Sequence, residues 1–300
     1  MEGAFRRPHL YAGAGVLLVI GWAFASTGGA ILHGHPTYWV AYGFAFAAAV
    51  GAIAASFAWR HRALRPGWSV AGTSILLLLA GLSWWLQPYE ATDIALRAMQ
   101  SDDAVLIDSG LTEITMTPTG DRSDVGVIFL PGAKVDARAY ANILRPLADA
   151  GHVVVIVKEP LGIAFLATGA APSWAAAHPD TAVWVVAGHS LGGVVAAQNA
   201  SEPNDLADLI LWASFPATDV SAQPFAAVSV FGTKDSLTSL DEIDASRSDL
   251  PPDTAFVAIE GAIHSHFGDY GEQPGDGEAA TPRRIAQTEI ISATLRFLDR

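Results

Sequence analysis

Three apolar stretches free of charged residues, about 10–32, 38–59 and 69–86, dominate the first 87 positions of the chain. Each has close to the ~20 residues that carry a helix across a hydrocarbon core of ~30 Å. Nothing amphipathic lies nearby to bury three such helices in a soluble core, so the pattern predicts three transmembrane helices. Beyond residue 103 the rhythm changes. Short runs rich in Val and Ile alternate with segments of helical period, the signature of strands covered on both faces by helices. Strands are expected at 104–107, 113–117, 125–130, 153–157, 182–187, 209–213, 227–231 and 255–259. Helices are expected at 137–150, 191–201, 240–248 and 282–298. The alternation implies an α/β fold with a mostly parallel sheet and helices on both faces. The division that follows is a membrane region over 1–87, a linker over 88–103 and a soluble domain over 104–300.

Charge separates the same two halves. Residues 1–87 hold five arginines and one acid, a net of +4, whereas the remainder holds 12 basic and 29 acidic residues, a net of −17. Arg6 and Arg7 precede the first span and Arg60, Arg62 and Arg65 separate the second from the third, while the loop between the first two spans has no Lys or Arg. Basic loops stay cytoplasmic, so the N-terminus is expected inside and the soluble domain outside the cell membrane. Tyr38, Trp39, Trp84, Trp85 and Tyr89 would mark the outer interface, and Trp59 and Trp68 the inner one. A cleaved signal peptide over the first 30 residues is the alternative, and it leaves the soluble domain outside. The acidity of the second half argues against a nucleic-acid partner. With no cysteine in the chain, disulfides and thiolate metal sites are excluded.

The candidate chemistry centres on Gly188-His189-Ser190-Leu191-Gly192, placed between a predicted strand and a predicted helix. This G-x-S-x-G turn exposes a serine at the top of a sheet as a nucleophile, with Gly188 and Gly192 leaving room for the bend. Active sites of parallel sheets lie beyond the carboxyl ends of the strands. There the order Ser, acid, His selects Asp235, directly after the 227–231 strand, over Asp241 and Asp244, which fall within a predicted helix. The base is His264 or His266, both past the last strand. His189 is read as support for the elbow. The oxyanion hole would use the backbone amides of Leu191 and of Ala133, with Lys134 as the alternative to Ala133. Leu161, Ile163 and Phe165 are candidates for an acyl pocket, or for an ordinary helix face. Only 214–226 separates the 209–213 and 227–231 strands, which leaves little room for a large lid. The acidic, Gly-rich loop 269–278 lacks the ordered spacing of a Ca²⁺ loop and is read as solvated.

Together these residues resemble the α/β-hydrolase superfamily over about 104–300. Several stretches are similar to a compact bacterial subgroup: Leu130-Pro131-Gly132-Ala133-Lys134-Val135-Asp136 with Ala139-Tyr140, Lys158-Glu159-Pro160-Leu161, and His264 followed by Phe267-Gly268-Asp269-Tyr270-Gly271. In that subgroup the base is the histidine three residues before Phe-Gly, which implies His264. The residue before this histidine is commonly Asn there, whereas here it is Ile263. The resemblance implies a serine hydrolase with no cofactor and no metal and says nothing of the three apolar stretches; joined to the predicted spans, it gives the reading of a membrane-anchored carboxylesterase acting on small-molecule esters. Two alternatives stand beside it. One is a lipase or thioesterase for membrane-derived acyl groups, and the other a non-catalytic binding or sensory module on the same fold.

Overall fold

In the computed structural model, which describes residues 8–58, 66–169, 171–202 and 206–300, the chain forms two units, Met1–Pro88 and Tyr89–Arg300. The first contains helices α1 (Pro8–His33), α2 (Thr37–Ala58) and α3 (Pro66–Trp85). Each is long and apolar enough to cross a membrane. Large side chains point outward: Leu18, Trp22, Val40, Phe44, Trp68 and Val70 are between 62% and 75% exposed, whereas Ala23, Ala45 and Ala49 are buried. Close contact between small residues, with apolar bulk turned away, is how helices associate in hydrocarbon. Several polar side chains find partners within the unit, as a waterless environment would require. Tyr42 donates to the Ser83 carbonyl at 2.8 Å, and Thr27, Ser56 and Thr73 donate to carbonyls four residues back. Arg6, Arg7, Trp59, Arg60, Arg62 and Arg65, on which the expected orientation rests, lie outside the described residues.

The second unit is built on an eight-stranded sheet, counted among the described residues: β1 (Val105–Ser109), β2 (Glu113–Pro118), β3 (Val125–Leu130), β4 (Val154–Val157), β5 (Val183–His189), β6 (Leu206–Trp212), β7 (Ala227–Gly232) and β8 (Ala255–Ile259). Their order is β1-β2-β4-β3-β5-β6-β7-β8. β2 is antiparallel to both β1 and β4, and the pairs from β4 to β8 are parallel. The helices are α4 (Asp93–Ala98), α5 (Ala141–Asp149), α6 (Ala171–Ala177), α7 (Leu191–Ser201), α8 (Leu240–Ser246) and α9 (Arg283–Leu298).

The strand period of two divides the core. Val127 and Phe129 of β3 pack with Tyr140, Leu144, Ala286 and Ile290 on one face, and Ile128 and Leu130 pack with Val195 and Ala196 on the other. That alternation explains why β3 and β4 are apolar at every position. The predicted strands and helices all appear, with ends shifted by up to four residues. One expectation is corrected. Residues 88–103, read as a linker, contain α4, and Ala91 and Ala95 are buried in the core beside α5. The short, weakly periodic Asp93–Ala98 segment carries too little pattern to announce a helix. α6 was likewise unannounced, because its Ala-rich sequence has no apolar stripe.

Candidate active site

The carboxyl ends of β3, β5 and β7 gather the candidate residues. Ser190 sits between β5 and α7 at φ 52°, ψ −124°, a region L-residues avoid unless the surroundings hold them there. The hold is visible. The Ser190 amide donates to the Trp212 carbonyl at 3.0 Å, and its carbonyl accepts from the Ser214 hydroxyl at 2.7 Å. A Cβ on Gly192 would collide with the carbonyl oxygens of Leu130 and Pro131, and one on Gly188 with the backbone of Gly192. Only glycine lets the elbow press against the end of β3.

Asp235 follows β7 and is 6% exposed. One oxygen, Oδ1, accepts the amides of Leu237 and Thr238 at 2.8 and 2.7 Å. The other, Oδ2, lies 2.8 Å from Nδ1 of His264, itself 1% exposed. His264 and His266 lie in a short 3₁₀ turn, His264–Phe267. They therefore do not share a face, as an extended segment would have required. Asp235 pairs with His264. His266 is buried with Nδ1 unpartnered among the described residues, and burial, with nearby Arg283 and against Asp276, pushes it down to about 4.

The expected amide donors stand in different circumstances. Leu191 opens α7, where an N–H has no partner within the helix. The Ala133 amide likewise has no backbone partner among the described residues, whereas the Lys134 amide is taken by the Gly162 carbonyl at 2.6 Å. That bond sets Ala133 apart from its alternative. Gly162 belongs to the turn after β4. There Leu161 and Ile163 are half-buried, while Phe165 and Leu166 are 51% and 56% exposed.

His189 does not stand clear of His264. Its ring lies 4.5 Å from that of His264 and stacks on Phe267 at 5.7 Å. Burial, together with nearby His264, pushes its pKa well below the usual range. Tyr140, which spacing alone did not single out, joins two parts of the site. Its hydroxyl accepts the Gly132 amide at 2.8 Å and lies 2.8 Å from His189 Nδ1. With His189 neutral and Nδ1 as acceptor, the tyrosine donates there. Glu159 is also buried, and desolvation raises its carboxyl well above the usual range. In the 269–278 loop, Asp269 accepts from Asn142 and Gln287, and Asp276 accepts from backbone amides. Their carboxylates thus face N–H donors of the protein.

A model of the alpha/beta hydrolase family matches residues 126–289, more than half of the chain. No curated protein matches it. Among solved structures, an alpha-beta serine hydrolase homologue from Coxiella burnetii aligns at 16% identity over 66% of this chain and 99% of its own, with a TM-score of 0.47. Esterase 2 of Thermogutta terrifontis aligns at 15% identity over 66% and 95%, with a TM-score of 0.47. An esterase from Mycobacterium tuberculosis aligns at 14% identity over 69% and 96%, with a TM-score of 0.49.

Proposed function

The chain belongs to the alpha/beta hydrolase family, and on that premise we propose that it is a membrane-anchored serine hydrolase, a carboxylesterase working through an acyl-enzyme on Ser190. The observation that carries this reading is the buried Asp235–His264 pair, 2.8 Å between Oδ2 and Nδ1, at the same sheet edge as a serine in a strained elbow. His264 Nε2 takes the Ser190 proton as Oγ attacks the ester carbonyl carbon, while Asp235 orients the ring and stabilises its charged form. The oxyanion forms against the amides of Leu191 and Ala133. The carbon–oxygen bond to the alcohol then breaks, and His264 returns the proton to the leaving oxygen. Water repeats the sequence on the acyl-enzyme, releasing the carboxylic acid and restoring Ser190. None of these steps calls on a metal or an organic cofactor.

The three apolar helices support residues 1–87 as the anchor, and the arginine distribution supports a cytoplasmic N-terminus with the hydrolase domain outside. A second reading, a lipase or thioesterase for membrane-derived acyl groups, draws on one feature. Residues 161–177 carry no charge in an otherwise acidic domain, and Phe165 and Leu166 are exposed within them. Intact cells treated with a membrane-impermeant fluorophosphonate test the main reading. Labelling in the wild type that vanishes in Ser190→Ala is expected. Labelling only after lysis would reverse the orientation, and none at all would favour a non-catalytic module. Rates rising with acyl-chain length would favour the lipase.

A further inference from the structure

The turn that carries His264 cannot cap itself. A helical turn leaves its first N–H groups without partners, and Ile263, at the cap position, has no side-chain bond to offer. The bonds come instead from Asp276, twelve residues past His264. Its Oδ1 accepts the His264 amide at 3.0 Å and its Oδ2 accepts the Ser265 amide at 2.8 Å. Oδ1 also accepts the Gly277 amide at 2.8 Å. A carboxylate on backbone N–H groups makes short, charge-assisted bonds, roughly twice as strong as neutral ones.

The segment around Asp276 also lies against the turn that carries Asp235. A Cβ on Gly277 would collide with the Lys234 carbonyl oxygen, so the backbone there fits only as glycine. Beside it, Gly275 adopts φ +88°, with Leu237 next to it. Arg283 holds the other side of the base turn, donating to the carbonyls of Ser265, Gly268 and Gly271. The turns of acid and base thus meet through one short segment.

We propose that Asp276 is a positioning residue for the base: its carboxylate caps the His264 turn and, with Gly277, clasps that turn to the one bearing Asp235. This rests on the reading of Ser190, Asp235 and His264 as the catalytic set. The loop read from sequence as solvated then acts through Asp276, supplying the support that Ile263 lacks. Loss of the clasp lets the imidazole drift, and a misplacement of about 1 Å costs on the order of 100-fold in rate.

The test uses the full-length protein in detergent, comparing Asp276→Ala and Asp276→Asn with the wild type and with Asp276→Ala in a His264→Ala background. Asp276→Ala should lower kcat roughly 10- to 100-fold with KM little changed. Asp276→Asn, which keeps one acceptor oxygen, should recover part of that loss and carries the test if the alanine variant does not fold. In the His264→Ala background the same change should alter the residual rate by less than about twofold, because the group it positions is gone. Equal losses in both backgrounds, or no loss in either Asp276 variant, would overturn the proposal. A readout independent of turnover is the low-field Nδ1 proton of His264 by NMR, identified by its disappearance in His264→Ala. It should shift or broaden in the Asp276 variants, and an unchanged resonance would also overturn the clasp. A wild-type protein that shows this resonance but hydrolyses no ester defeats the hydrolase reading and leaves the clasp standing.

Discussion

Replacing Tyr140 by Phe removes one oxygen and leaves the rest of a fully buried ring in place. The ring packs 4.8 Å from Phe129 and 5.9 Å from His189, centroid to centroid, so no cavity of consequence opens. The loss is polar. The Gly132 amide and His189 Nδ1, each 2.8 Å from the phenol oxygen, are left as a buried donor and a buried acceptor. Each unsatisfied group costs about 1–3 kcal/mol, which gives about 2–6 kcal/mol for the pair. In a domain of this size each kcal/mol lowers the melting temperature by about 2–4 °C, so the variant should melt at least about 4 °C lower. On the proposed mechanism catalysis should suffer as well, because Gly132 precedes Ala133, the proposed oxyanion donor. Complete loss of such a donor costs on the order of 10²–10³ in kcat, and a loosened one roughly 10-fold, with KM less affected. Thermal denaturation and ester-hydrolysis kinetics on the full-length protein in detergent measure both effects. A Tyr140→Phe enzyme that melts within about 1 °C of wild type and keeps its kcat would refute the idea that this hydroxyl ties the oxyanion turn to the elbow.

Asp235→Asn should keep the fold and lower kcat by about 10⁴ through the wrong His264 tautomer; a loss below about tenfold would remove Asp235 from the mechanism. Gly192→Ala, whose new methyl meets two carbonyl oxygens, should destabilise by more than about 4 kcal/mol, read as loss of soluble folded protein on expression; normal yield and melting would contradict it. Burial raises the Glu159 carboxyl well above the ordinary value of 4.5, so its contribution is complete below that pH and is lost as pH rises toward the folded value. Glu159→Gln should therefore resist alkaline destabilisation, gaining up to about 1.4 kcal/mol over wild type per pH unit above 4.5; parallel stability–pH curves would reject this. The lowered pKa of His266 has the opposite sign, stabilising above 6.5 and losing that stability as pH falls toward about 4. His266→Gln should flatten that acid limb, and an unchanged limb measured by thermal melts would exclude it.

Much of this fold was legible because buried strands and membrane helices leave long, redundant patterns. β3 and β8 have the predicted boundaries, since one is a continuous apolar run between a polar turn and a Pro-Gly turn and the other is bracketed by similar breaks. The nucleophile elbow was legible for a different reason: sterics admit only glycine beside Ser190, so the constraint is written in residue types. α4 and α6 were invisible because packing, not propensity or pattern, makes a helix of six or seven residues. The choice between His264 and His266 could not come from spacing, because the 3₁₀ geometry that separates their directions depends on contacts with a loop twelve residues away. Tyr140 and Asp276 share that difficulty. Each accepts from backbone amides of another segment, and a backbone amide has no letter in the sequence.

Backbone strain marks the candidate site independently of the G-x-S-x-G motif. Among the described residues, the non-glycine positions with positive φ are Lys134, Leu161, Ser190 and Ala213, at 58°, 54°, 52° and 44°. They follow β3, β4, β5 and β6, four strands that lie side by side in the order β4-β3-β5-β6. Such conformations cost on the order of 1–3 kcal/mol each, and all four fall at the carboxyl edge of the sheet. Three are pinned by amide bonds to a neighbouring segment, and the fourth, Leu161, sits in a closed turn. Lys134 donates its amide to Gly162, and the turn containing Leu161 is closed by the Gly162 amide on the Glu159 carbonyl; Ser190 donates to Trp212 and Ala213 to Val230. The Ala213 carbonyl in turn accepts from Thr238, whose own amide donates to Asp235. Strain relieved at any one of these positions would shift a partner in the next turn. The edge therefore holds its geometry collectively, and the two apolar layers beneath it supply the rigidity that keeps Ser190 from relaxing.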